Sequence, residues 1–150
     1  METKQYCTFQ LEDQCFGVDV QQVQEVIRYQ ELTRVPLASP VVNGLINLRG
    51  QIVTAIDLRR RFGLADRPAD ALPMNVVVRT PDGVVSLLVD AIGDVIEVPA
   101  DKFEPPPETL QGSSRALIDG AYKLENQLLL VLNTPEAVEM LSRDVFSKSA

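Results

Sequence analysis

The chain reads as mainly β, one or two small antiparallel barrels closed by a C-terminal helix, and three observations carry that reading. Short apolar runs recur along the 150 residues at the spacing of strands joined by tight turns. Pro36, Pro40, Pro68, Pro73, Pro81, Pro99 and Pro105 to Pro107 fall between those runs and never inside one, as the missing backbone donor of proline requires. No alternation of strand and long helix appears, which excludes a doubly wound parallel sheet.

The elements follow in order. Cys7, Phe9 and Leu11 alternate with Tyr6, Thr8 and Gln10, and the pattern resumes at Cys15 to Val18 after Glu12-Asp13-Gln14, a strand, turn and strand. Val20, Val23, Val26 and Ile27 stand at helical spacing behind Asp19, so residues 19–26 are expected to form a short capped helix. Strand-like runs follow at Leu32 to Val35, Leu45 to Leu48, Ile52 to Ile56, Asn75 to Val78, Val84 to Val89, Val95 to Val98, Ala116 to Ile118 and Leu128 to Leu132. Asp66 to Pro73 is the most polar mid-chain link and the expected boundary between two small barrels. Lys102 to Ser114 reads as a surface loop stiffened by three prolines. Thr134-Pro135-Glu136 opens a helix in which Val138, Leu141 and Val145 share a face.

Composition narrows the function classes. Hydrophobic residues make up 45 % and charged residues 23 %, the balance of a folded globular chain. A net charge of −7 opposes phosphate backbones, so nucleic acid is not an expected partner. The charge is uneven: residues 1–75 hold 8 basic and 9 acidic side chains, the remainder 6 and 12. No apolar run is long enough to span a bilayer and no signal-peptide pattern opens the chain, which points to the cytoplasm without membrane insertion. Histidine is absent, removing the commonest general base and metal ligand, and Cys7 and Cys15 alone make no ordinary zinc site. The two thiols flank a hairpin turn and are expected to be reduced.

One stretch carries the functional argument. From Asn43 to Leu64 two apolar runs are separated by Arg49-Gly50-Gln51, a tight hairpin turn that puts a charged residue at an exposed corner. Asn47 to Gly50, the β-branched run Ile52 to Ile56, and Asp57 to Arg59 closely resemble the core motif of the CheW family, the coupling proteins of bacterial chemotaxis. Val23-Gln24-Glu25-Val26, Phe62-Gly63-Leu64 and Leu88 to Val95 match further signatures, and the resemblance runs over nearly the whole chain. Thr54 stands where the family usually has proline, and Asn133 where aspartate is frequent.

That resemblance implies a single CheW-like domain over 1–150, built as two packed five-stranded SH3-like β-barrels with a short C-terminal helix. The approximate barrel halves are 15–70 and 74–133, with the first strand and the helix 134–146 free to cross between them. Units so small bury too little surface alone, so the halves should unfold together. It also implies a non-catalytic adaptor coupling the regulatory domain of a CheA-type histidine kinase to the cytoplasmic tip of a methyl-accepting chemoreceptor, recruited to membrane-associated arrays and needing no cofactor. The implied receptor groove comprises Val23, Glu25, Gly44, Asn47, Leu48, Arg49 and Gly50, with Glu25 paired to Arg49. The kinase-binding surface is not legible in the sequence.

Bland roles compete with these. Arg49 and both glycines suit a turn, while Val23, Leu45, Ile46, Leu48 and Val89 suit a core or an apolar trough between barrels. Arg59-Arg60-Arg61 reads as a solvated helix end, short of a lipid-binding cluster. An adaptor for a chemosensory-like pathway controlling pili, biofilm or development is the alternative within the fold. From another class, a small β-barrel enzyme would have to work with Asp57, Asp90 and Asp94, without a histidine or a nucleophile.

Overall fold

A computed structural model describes residues 2–34, 40–81, 83–110 and 113–141. Among them β1 (Thr3–Leu11), β2 (Gln14–Asp19), β3 (Val23–Ile27), β4 (Val42–Leu48), β5 (Gln51–Asp57), β6 (Met74–Thr80), β7 (Gly83–Val89), β8 (Ala91–Pro99), β9 (Ile118–Lys123) and β10 (Leu128–Leu132) form two five-stranded sheets. The helices are short: α1 (Leu58–Arg61), α2 (Ser113–Ala116) and α3 (Thr134–Leu141).

The strand orders are β8-β1-β2-β10-β9 in sheet A and β3-β6-β7-β5-β4 in sheet B. Each sheet has one parallel contact, β2 with β10 and β5 with β7, and is otherwise antiparallel. Both close in the same way. Beyond β3, Thr33 exchanges two backbone hydrogen bonds with Leu45 of β4, at 2.8 and 2.7 Å. Beyond β8, Glu104 does the same with Ala121 of β9, both at 2.9 Å. These bridges join the outer strands of each sheet and turn it into a barrel.

The chain is therefore a repeat with exchanged strands. β1 and β2 belong to barrel A, β3 to β7 to barrel B, and β8 to β10 return to barrel A. The expected halves 15–70 and 74–133 are not the barrels: the link Asp66 to Pro73 joins two strands of one sheet, and the real crossings fall at β2–β3 and β7–β8. Polarity marked a surface link there, and nothing in a link's composition says whether the next strand pairs at home or across the seam.

Register extends the repeat to single residues. Asn47 opposes Ile52 beside the Leu48-Arg49-Gly50-Gln51 tip, and Lys123 opposes Leu128 beside the Leu124-Glu125-Asn126-Gln127 tip. Four positions before each tip stands a glycine, Gly44 and Gly120. A Cβ on Gly44 would lie 2.6 Å from the Thr33 carbonyl oxygen, and one on Gly120 would collide with that of Glu104. Each glycine thus admits the strand that closes its barrel. Asp57 caps α1, accepting from the Arg59 N–H at 3.0 Å, and Asn133 caps α3, accepting from the Glu136 N–H at 3.0 Å.

Three apolar clusters fill the molecule. Tyr6, Cys15, Val98, Tyr122, Leu129 and Val131 fill barrel A, and Ile46, Leu48, Val53, Ala55, Val77 and Leu88 fill barrel B. The largest cluster draws on both sheets, with Phe9, Leu11, Phe16, Val18, Leu130 and Leu132 from A against Ile56, Val76, Val78, Leu87 and Val89 from B. Central strands are consequently buried on both faces, which is why Leu128 to Leu132 and Val84 to Val89 read as continuous apolar runs. The seam is the main core, so neither barrel can keep its buried surface without the other.

Two local expectations change. Residues 19–26 form a 3-10 turn, Val20–Gln22, followed by β3, although Asp19 does cap it by accepting from the Gln21 N–H. Val23, Val26 and Ile27 are β-branched and find antiparallel partners on β6, and that pairing overrides helical spacing. The strand expected at Ala116 to Ile118 begins at Ile118 and runs to Lys123, because Asp119 and Gly120 masked its alternation. The strand expected at Leu32 to Val35 is reduced to the single bridge at Thr33, and Val35 and the helix beyond Leu141, including Val145, lie outside the described residues. Cys7 and Cys15 are free thiols on adjacent strands, and burial raises both above the ordinary range.

Candidate functional site

Arg49 and Gly50 are the two central residues of the β4–β5 hairpin, and Leu48 pairs with Gln51 across it. Both have positive φ, 53° and 88°, as a type I′ turn demands. Gly50 adopts this freely, whereas Arg49 carries a Cβ and is strained there by about 1–2 kcal/mol. Asn47 eases the turn by accepting from the Gly50 N–H at 2.8 Å. Arg49 shares this left-handed conformation with Glu12 at the β1–β2 turn, φ 54°.

The guanidinium of Arg49 donates from Nη2 to Glu25 Oε2 on β3, forming the expected ion pair. The Arg49 side chain is 69 % exposed and that of Glu25 21 %. Glu25 also accepts from Gln24, and the Arg49 bond holds its carboxyl below the usual carboxylate range. Arg49 is thus aimed by the pair while remaining open to a partner. Ile52, 62 % exposed, stands across from Asn47 next to the tip, and Val26, 40 % exposed, lies on the face of β3 opposite to Glu25.

The structure sorts the other expected site residues differently. Leu48 is 7 % exposed inside barrel B, and Gly44 is buried against the chain's own Thr33, so both shape the tip from beneath. Val23 is half-buried on the seam. The trough expected between the barrels is filled: Val89 sits in the seam core and Ile46 in the barrel B core. Exposed surface comes from Asn47, Arg49 and Gly50 with half-buried Glu25, joined by Val26, which sequence patterning assigned to a short helix, and Ile52, which it assigned to a strand.

Arg59-Arg60-Arg61 is not a solvated helix end. Arg59 grips Asp90 with two bonds, Nε to Oδ1 at 2.8 Å and Nη2 to Oδ2 at 2.6 Å. Arg67, from the polar link, donates to Asp90 at 2.9 Å and reaches both oxygens of Asp57 at 3.4 Å. Arg61 donates to the carbonyls of Glu136 and Ala137 in α3, and Arg60 pairs with Asp66 on the surface. Asp90 also accepts from the Glu12 N–H of barrel A at 2.8 Å. Burial works against ionisation of Asp90, yet Arg59, the Glu12 N–H and Arg67 outweigh it and hold the carboxyl down at about 2. Asp57 and Asp90 are therefore occupied by guanidinium groups, and Asp94 is exposed and separate. No cluster of metal-ligating side chains occurs among the described residues, nor any helix long and apolar enough to cross a membrane.

Comparison with known proteins agrees with this architecture. A family model described as "CheW-like domain" matches residues 5–141. The chain is 33 % identical to "Chemotaxis protein CheW" of Bacillus subtilis over 79 % of its own length and 76 % of that protein's. It is 29 % identical to "Chemotaxis protein CheW" of Treponema pallidum over 88 % and 80 %. The crystal structure of the scaffolding protein TtCheW from Thermoanaerobacter tengcongensis superimposes with a TM-score of 0.79 at 29 % identity, covering 88 % of this chain and 90 % of that one.

Proposed function

This chain belongs to the CheW-like domain family, and we propose that it acts in chemotaxis as an adaptor coupling a CheA-type histidine kinase to the cytoplasmic tips of methyl-accepting chemoreceptors. Arg49, held at positive φ and aimed by Glu25, is the observation that carries the receptor side of the reading. A guanidinium with most of its surface exposed offers planar donors to carboxylates or helix-terminal carbonyls, and the exposed Ile52 of β5, just past the tip, offers apolar contact. An amphipathic helical hairpin presents both kinds of group, so the surface takes a helix tip against Glu25, Asn47, Arg49 and Gly50.

No bond is made or broken in this role and no cofactor is needed. The adaptor works by population shift, favouring one kinase geometry when receptor is bound, with coupling of about 1–3 kcal/mol. The kinase regulatory domain joins through a separate barrel surface, and the assembly sits on the cytoplasmic side of the membrane at receptor arrays.

Calorimetric titration with the kinase regulatory domain and with a receptor-tip fragment tests this, for the wild type and for Arg49→Ala. Binding of both partners by the wild type, with only receptor binding lost in the variant, is the expected result. Absence of binding to either partner by the wild type would overturn the coupling role.

A further inference from the structure

The two crossings between barrels occupy equivalent places in the repeat, yet they are held in opposite ways. The β7–β8 crossing turns at Asp90, which two arginines and a barrel A backbone amide grip at once. Arg67 and Asp57 of this cluster have side chains 8 % and 7 % exposed, and Arg59 and Asp90 are 12 % and 18 % exposed. The four charges balance, and they come from β5, α1, the 66–73 link and the crossing itself. The β2–β3 crossing, Val20–Gln22, meets α3 through a neutral bond, Thr134 Oγ1 donating to Gln22 Oε1 at 3.1 Å, and no buried ion pair is found at it among the described residues. Its other ties are surface contacts: Arg79 donates to the carbonyls of Gln21 and Val23, and Lys4 approaches Asp19 at 3.6 Å.

A cluster of buried paired charges resists displacement because separating its members strands a charge in low dielectric, whereas one neutral bond exchanges readily with water. A packed seam permits only small sliding or rocking, and the rocking must occur where the ties are weakest. The weak crossing continues directly into Val23, Gln24 and Glu25, the strand that aims Arg49. We propose that the Asp57–Arg59–Arg67–Asp90 cluster is a pivot fixing one end of the seam, and that Val20–Gln22 is the compliant end through which occupancy at Glu25 and Arg49 changes the orientation of barrel A against barrel B. Asp90 and Arg67 are then positioning residues for the adaptor, remote from the contact surface. The ligand-dependent half of this inference rests on the receptor reading given above.

Nuclear magnetic resonance on the full chain tests it. In the free wild type, relaxation dispersion on the microsecond to millisecond scale is expected at the amides of Val20, Gln21, Gln22 and Thr134, and absent at Glu12, Arg59 and Asp90. Dispersion equal at both crossings, or absent from both, would overturn the pivot without any variant. In Asp90→Asn, dispersion should spread to Glu12, and residual dipolar couplings of the two barrels should lose their common alignment tensor. A folded Asp90→Asn that keeps one tensor and a quiet Glu12 would overturn it equally. Thr134→Val should raise the dispersion at Gln22 while leaving Asp90 quiet, and an unchanged Gln22 would count against the compliant end. Added receptor-tip fragment should suppress dispersion at Val20–Gln22. If the fragment binds and dispersion persists, the ligand-dependent half fails; if it does not bind, the receptor reading fails while the free-protein result still decides the pivot.

Discussion

The two hairpin tips hold matching places in the two barrels and carry opposite chemistry. Leu48-Arg49-Gly50-Gln51 and Leu124-Glu125-Asn126-Gln127 share their flanking leucine and glutamine, and a glycine four residues upstream admits the closing strand in both. Their charged residues differ in sign while the strand residues facing them do not: Glu25 on β3 meets Arg49, whereas the equivalent residue on β8 is Asp94, acidic like Glu125. What the repeat retains is barrel closure. What it lets diverge is the solvent-facing corner, and only one corner has an arginine bent into left-handed backbone and an acid to aim it.

Attacking what the barrels share should have the largest effect. Gly44→Val and Gly120→Ala each drive a Cβ into a backbone carbonyl that has nowhere to go, and each should cost roughly 3 kcal/mol or more. Because the main core spans the seam, calorimetry should show one unfolding transition for both variants; two resolved transitions would separate the barrels energetically.

Next comes the charge cluster that, among the described residues, only one crossing has. Asp90→Ala strands two arginines and should cost roughly 2–4 kcal/mol in denaturant unfolding, against about 1 kcal/mol for Thr134→Val at the other crossing. Equal losses would erase the contrast. The same cluster sets an acid limit. The Asp90 pKa is depressed in the folded state, so its contribution is complete above the ordinary carboxyl range. It is lost as pH falls from about 4 toward about 2. Asp90→Asn should therefore flatten the stability profile in that window, and an unaltered acid limb would argue against the pairing.

Changes at the tips should be the gentlest on folding. Arg49→Asn relieves the left-handed strain and should leave stability unchanged or raised by about 1 kcal/mol, while abolishing binding of a receptor-tip fragment. Loss of stability together with unaltered binding would reverse the reading of that corner. Glu125→Arg at the other tip should shift thermal stability by no more than about 0.5 kcal/mol. It should also fail to create receptor binding, since the residue at the place of Glu25 is Asp94, in the shorter side chain of a different strand context.

Local chemistry accounts for what could be foreseen. The alternation of Cys7 to Leu11, the prolines between runs, the Arg49-Gly50 turn and the helix opening at Thr134 are short-range signals, and each became the element it announces. Glu25 and Arg49 were paired in advance through family resemblance, since twenty-four positions of separation carry no physical hint of contact. The failures are equally instructive. Val20 to Ile27 has helical spacing, but β-branched residues with a partner strand available prefer to pair. Leu48 alternates as a surface-lining residue would, and its burial depends on which face of β4 the barrel closes around.

The sequence by itself determined a chain of short strands, tight turns and a closing helix, because φ/ψ preference, side-chain period and the missing donor of proline act within a few residues. It also placed an arginine at an exposed corner. Only the tertiary structure decided that the strands exchange between barrels, that the seam is packed, and that Arg59 and Arg67 are buried on Asp90 and Asp57. Those outcomes depend on contacts between distant segments, where burial of apolar area and pairing of charge outweigh any local preference.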